Sequence, residues 1–206
     1  MVAKAPLADD DGRKARSERT RAAVVEALLN LLEEGVIQPG ADLLAERAGV
    51  SRRAIFNHFR DLEDLFAAAA DLQRTRVMGL FQPISPEAPL SERIAAFTAQ
   101  QARVIAFITP VRRAANQVAH ASAVIAERLA AMRAFHRAHV EATFAPELAG
   151  IDGEARREQL AALTTVTSFP FWEELTAHEG LTPRMAEKAM ARALTSLLTA
   201  PPRALP

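Results

Sequence analysis

Apolar residues recur at intervals of three and four along almost the whole chain. Val24, Ala27, Leu28 and Leu31 fall at i, i+3, i+4 and i+7, which predicts a first helix over about 17–34 with one buried face. Gly35 stands where a helix stop is expected. A short helix opens near Ala41, points Leu44, Ala45 and Ala48 inward, and breaks at Gly49. Ser51 can cap a third helix by accepting from the N–H of Arg53 or Ala54, and Ile55 and Phe59 share a face at i, i+4. Asp61 caps a fourth helix with a stripe of Leu62, Leu65, Phe66, Ala69 and Leu72, running to about Phe81. "QPISPEAPL" (82–90) holds three prolines and reads as a linker and domain boundary. Further helices are expected at about 91–108, 110–120, 122–145, 153–178 and 182–199. Pro110 and Pro183 serve as first helical residues, the latter after a Thr182 cap. Pro170 should kink or split its segment. No long stretch alternates with period two, so the pattern predicts an all-α chain of about nine helices.

Composition narrows the function. The chain has 206 residues, enough for one domain with a large core or a small domain on a larger one. Lys+Arg and Asp+Glu number 25 each, so no global field draws the chain to a polyanion, and any such site must be a local cluster. With no cysteine there is no disulfide, thiolate metal site or thiol nucleophile, which suits a reducing compartment. The N-terminus has no apolar core of a signal peptide, and no stretch approaches eighteen apolar residues. The expectation is a cytoplasmic protein without a membrane span. Residues 1–15, with Asp9 to Asp11, read as a disordered tail. A basic run of Arg13, Lys14, Arg16, Arg19 and Arg21 overlaps its end, opposed only by Glu18. It can track a phosphate backbone or be a solvated arm.

The densest chemistry is in "AGVSRRAIFNHF", residues 48–59. Two short helices joined by a tight Gly-containing turn make a helix-turn-helix, whose second helix lies in the DNA major groove and presents its N-terminal residues to base edges. Those residues are Arg52 and Arg53, and Arg reaches guanine O6 and N7 bidentately. Ala54 is small enough to approach the groove floor. Phe56 can pack on a thymine methyl, Asn57 can read adenine or hold a phosphate, and His58 can donate to a phosphate. From helix pattern alone, a helical hairpin with a solvated Arg pair fits as well.

"RAAVVEALLNLLEEG…LLAERAGVSRRAIFNHFRDLEDLFAAA", roughly residues 21–70, resembles the DNA-binding domain of the TetR family of transcriptional regulators. The likeness is carried by Ala27, Gly35, Ala45, Ala48-Gly49-Val50-Ser51, His58-Phe59 and Leu65. The resemblance implies a homodimer of nine-helix chains on double-stranded DNA. Helices one to three bind DNA, helices four to seven enclose an effector pocket, and the last two build the dimer interface. It puts Arg52, Arg53, Phe56, Asn57 and His58 where the family contacts DNA; Ser51, Ala54 and Arg19 complete the candidate set. Three positions depart from the family. Phe56 replaces a usual Tyr, Leu62 a usual Lys, and Gly40 and Ala41 offer no hydroxyl where a Thr is usual. Each missing phosphate contact should flatten the salt slope by about one unit. The domains expected are residues 16–62 for DNA and 63–206 for effector and dimerisation.

The C-terminal part says less. Arg113 (or Arg112), Asn116 and His120 lie on roughly one helical face, and if that face is inward they suit an anionic or hydrogen-bonding effector. Surface charge paired with Glu residues is the competing reading and the one the pattern favours. His136 and His139 at i, i+3 lack a nearby third ligand, so no metal is expected. Phe169, Phe171 and Trp172 cluster around Pro170 and can line an effector pocket or pack in a core or interface. The last helix carries Ala186, Ala189, Met190, Ala193, Leu194, Leu197 and Leu198. With Leu160, Leu163, Thr167 and Phe171 this stripe can form half a four-helix bundle. No phosphate loop, GxSxG or HExxH occurs, and Glu173 and Glu174 diverge on a helix, so neither an enzyme nor a cofactor is expected. The expectation is a dimeric, ligand-responsive repressor with an unidentified small-molecule effector. A helical adaptor or helical enzyme is the alternative, and either leaves Arg52 and Arg53 unexplained.

Overall fold

A computed structural model describes residues 8–199. Among them are ten α-helices, where the spacing predicts about nine, with one π-helical turn and, as expected, no strand. The first four helices are α1 (Ala8–Glu33), α2 (Ala41–Ala48), α3 (Arg52–His58) and α4 (Leu62–Met78). Next come α5 (Leu90–Val118), α6 (Ala123–Thr143), α7 (Ala145–Leu148) and α8 (Gly153–Val166). The last are α9 (Phe169–Glu173), continued by the π turn Glu174–His178, and α10 (Pro183–Thr199).

Three boundaries differ from expectation. First, α1 begins at Ala8, so the part of the expected tail from Ala8 onward is helical, and the rest lies outside the described residues. Arg, Lys, Ala and Glu dominate residues 13–19, and all are good helix formers that need no core to prefer this backbone. Second, Pro110 does not open a helix. It sits inside α5, which joins the segments expected at 91–108 and 110–120. Proline removes one N–H and crowds the preceding turn, yet Val104 and Ile105 before it and Ala114 after it are buried and hold the helix on course. Third, α7 is a one-turn helix that the pattern did not resolve.

Local signals elsewhere are met. Gly35 and Gly49 have φ of 88° and 65°, a left-handed conformation that glycine takes without strain and that ends α1 and α2. Asp61 Oδ1 accepts from the Asp64 N–H at 2.8 Å, and Thr182 Oγ1 accepts from Met185 at 3.3 Å. At the Pro170 break α8 has ended, and Ser168 caps α9 by accepting from Phe171 at 3.3 Å.

The described chain divides into two compact units. One holds the residues up to Thr75 with Thr109–Ala126; the other holds Arg76–Ile108 with the residues from Glu127 on. The proline-rich 82–90 segment lies inside the second unit. The divisions fall within α4, α5 and α6. The first unit's core joins Val24, Leu28, Leu31 and Leu32 of α1 to Leu44 of α2, Ile55 of α3 and Leu65 and Ala69 of α4, with Phe59 beneath and Ala114 against it. In the second, Ile94, Phe97, Val140, Phe144, Leu160, Leu163 and Leu194 form one cluster, and Ala102, Ile105, Phe169, Trp172, Ala186 and Met190 another. By length and composition α5 is apolar enough to cross a membrane, the one such helix among the described residues. Its Ile94, Phe97 and Ile105 are spent on the second unit's core.

Candidate nucleic-acid interface

The interface is built by a left-handed glycine and a serine cap. The αL backbone of Gly49 lets its N–H bond back to Glu46 O at 3.2 Å, while Val50 N–H reaches Ala45 O at 3.0 Å. The chain then reverses into α3. Ser51 Oγ accepts from Ala54 N–H at 3.1 Å, which fixes the first turn. Ile55 and Phe59 are fully buried and anchor one face. Arg52, Arg53, Phe56 and Asn57 are exposed on the other, while Ala54 and His58 are half-buried and Ser51 is exposed. Phe56 is 42 % exposed, so a large ring faces solvent with no core to account for it.

The side chains of this face are partly ordered. Arg52 lies 3.4 Å from the Asp42 carboxylate, and its guanidinium stands 5.9 Å from the Phe56 ring centre. Both partners are exposed, so the contacts orient Arg52 without committing it. Arg47 makes a tighter, forked pair with Glu34, at 2.6 and 2.9 Å, which ties α2 to the end of α1. That pairing holds the Glu34 carboxyl below its ordinary range. Arg21 lies over the Phe59 ring at 4.9 Å. Arg13, Lys14, Arg16 and Arg19 are exposed on α1. Arg13, Arg16 and Arg19 span about 120° of the helix at 100° per residue, and Lys14 with Arg21 lies to another side. The basic run is therefore not a single stripe. The three departures also take physical form. Gly40 precedes α2 with no side-chain cap, Ala41 is buried, and Leu62 packs against the first core.

The effector candidates fall in different units. Arg113, Asn116 and His120 belong to the first unit and Phe169 and Trp172 to the second. Arg113, Asn116 and His120 are all exposed, and the buried residue of that turn is Ala114. The face they share is thus not inward, because the small alanine rather than the polar residues meets the core. Arg112 donates to Asn116 Oδ1 at 3.2 Å along the same helix. Phe169 and Trp172 are core residues, 6 % and 4 % exposed.

The sequence did not reveal a polar cluster inside the second unit. Gln101 Nε2 donates to Thr167 O at 2.8 Å and to His136 Nδ1 at 3.3 Å, so that nitrogen is an acceptor and the proton is on Nε2. There it faces Thr164 O at 3.2 Å and Thr167 Oγ1 at 3.1 Å. Gln100 accepts from the Gln82 N–H at 2.6 Å and donates to His139 Nε2 at 3.0 Å. Burial lowers His136 to about 4, against a raising effect from Thr164 O, with His139 lowering it further. Burial also lowers His139. Burial thus favours the neutral form of both packed rings. No group of three metal-ligating side chains occurs among the described residues.

A glycine-turned helix pair with an exposed Arg-Arg-Phe-Asn face defines an all-α protein of the helix-turn-helix regulator class. Residues 26–69 match the family profile of bacterial regulatory proteins, tetR family. The fold is shared more widely. A transcriptional regulator from Rhodococcus sp. Rha1 superposes with a TM-score of 0.65 at 20 % identity, over 88 % of this chain and 95 % of that one. A candidate TetR-family regulator from Mesorhizobium loti MAFF303099 gives 0.59 at 17 % identity, over 89 % and 96 %. These likenesses show the fold alone. No curated protein matches the chain. The match places a DNA-binding domain of the TetR-family type at residues 26–69 of this chain.

Proposed function

We propose that the chain is a ligand-responsive repressor that binds a palindromic operator as a homodimer. Residues 16–62 read DNA and residues 63–206 carry dimerisation and effector binding. The observation that carries the reading is α3: Ile55 and Phe59 hold one face in the core while Arg52, Arg53, Phe56 and Asn57 are left to solvent. Arg53 makes no ion pair among the described residues and stands ready for a guanine edge or a phosphate. Arg19 and its neighbours on α1 supply further phosphate contacts. A dimer follows from the DNA reading, since two recognition helices must sit about one helical turn apart, roughly 34 Å. An effector releases DNA only by preferring a second conformation, because equal affinity for both states shifts nothing.

Selection of bound sequences from a random double-stranded pool, at stated salt, tests the reading. An enriched inverted repeat is expected. Arg53→Ala should cost about 1–3 kcal/mol on that repeat and relax preference at one base pair per half-site. No enrichment from folded protein at low salt would favour a helical adaptor instead.

A further inference from the structure

Trp172 is the single tryptophan of the chain, and it forms part of the wall of an open groove of about 660 Å³ in the second unit. The α5 side is a face of Ala99, Ala102, Arg103 and Ala106, at i, i+3, i+4 and i+7. Three alanines there leave a shallow apolar floor that larger side chains would fill. The opposite wall is the first turn and a half of α10, where Arg184, Glu187 and Lys188 face the groove behind Pro183. Three cations thus face one carboxylate, although the chain as a whole has no net charge. Arg103, Arg184 and Lys188 make no ion pair among the described residues.

We propose that this groove binds an amphipathic organic anion, its apolar body along the alanine floor beside Trp172 and its carboxylate between Arg103 and Lys188. The size suits a small ligand, and an apolar floor with a few convergent charges is the usual make-up of such sites. The charge selects the sign, because a cation would meet a surplus of like charge. A second copy seated on the exposed Met185 and the half-buried Ala189 and Ala193 of α10 leaves the groove open. At 100° per residue, its α10 residues centre about 170° around the helix from Met185, Ala189 and Ala193, the edge left for a partner. The site deepens the effector reading and rests on it only for any effect on DNA.

Trp172 emission reports binding directly. Decanoate, titrated below its micellar range into the 206-residue protein, should change that emission saturably. Decanol and decyltrimethylammonium should act far more weakly. The exposed double variant R103Q/K188Q should weaken decanoate about fivefold to tenfold. Ala106→Leu, also at an exposed position, should weaken it by filling the floor, with the far-ultraviolet spectrum unchanged. Equal response to decanol, or unchanged decanoate binding in both variants, overturns the proposal. Operator retention in the same samples judges the effector reading separately: a saturable response with DNA still bound keeps the site and removes its regulatory role.

Discussion

Protonating His136 sets two donors against each other. Its Nδ1 faces the Gln101 amide N–H, which is already fixed by its bond to Thr167 O. The folded protein therefore resists the proton, and burial lowers the group to about 4 from an ordinary 6.5. The unfolded chain takes up the proton first. Stability contributed by the neutral ring is complete above about pH 6.5 and is lost as pH falls from there towards 4, up to about 3 kcal/mol. His139 acts in the same direction. Denaturant midpoints at pH 7.5 and 5.0 should show this loss, and His136→Gln should narrow the gap between them. Glu147 does not confuse the window. Glu147 lies below its ordinary range because Arg93 donates to it, so its contribution persists until more acid conditions. Arg93 is itself a second residue-level test. It is 3 % exposed and donates to Glu147 at 2.7 Å, to Thr143 O at 2.9 Å and to Ala88 O at 2.9 Å. It thereby clamps the proline-rich loop to the end of α6 and to α7. Glu147→Ala leaves a buried guanidinium without its counter-charge and should cost about 2–4 kcal/mol in chemical unfolding.

Elements in this chain are short-range statements, and that decides which of them the sequence disclosed. Gly49, Ser51, Asp61, Thr182 and the Pro170 break act within one turn, and each is visible as a residue type at a fixed offset. The α3 seen in the structure is only seven residues, too short to hold alone, so its cap and its two anchors matter. Ser51→Ala should cost about 1 kcal/mol of stability, measured without DNA, and Ser51→Thr should recover most of it. The features that escaped are set by distant partners. Continuity of α5 through Pro110 depends on burial before and after it. The Gln100, Gln101, His136 and Thr167 cluster depends on three helices meeting, and no spacing along the chain encodes that. The direction of the face shared by Arg113, Asn116 and His120 is open in the sequence for the same reason: helical spacing sets which residues share a face, but not which way the face points, and here all three are exposed.

For the whole molecule, the question is what α10 presents to a second copy. Ala186, Met190 and Leu194 are wholly buried in the chain's own core, as are Leu160, Leu163 and Thr167 of the preceding segment. These residues of the expected bundle stripe are therefore already used within one chain. What is left on α10 is Met185, 51 % exposed, with Ala189 and Ala193 half-buried beside it; on α8 the outer face shows Ala161 and Thr165. Small residues let helices approach closely, and an exposed methionine beside them has apolar surface to lose. Gln159 donates to Leu197 O at 2.6 Å and ties α8 to α10. An arginine at position 189 would stand in the middle of this edge without disturbing the buried stripe. Ala189→Arg should therefore keep its helical signal and thermal transition at high protein concentration yet sediment as a monomer. Binding to a single half-site should survive, while affinity for the full inverted repeat should fall by the advantage of linking two reading heads, about a hundredfold or more. A variant that remains dimeric and binds the full repeat as tightly as the parent would move the interface away from the α8 and α10 edge.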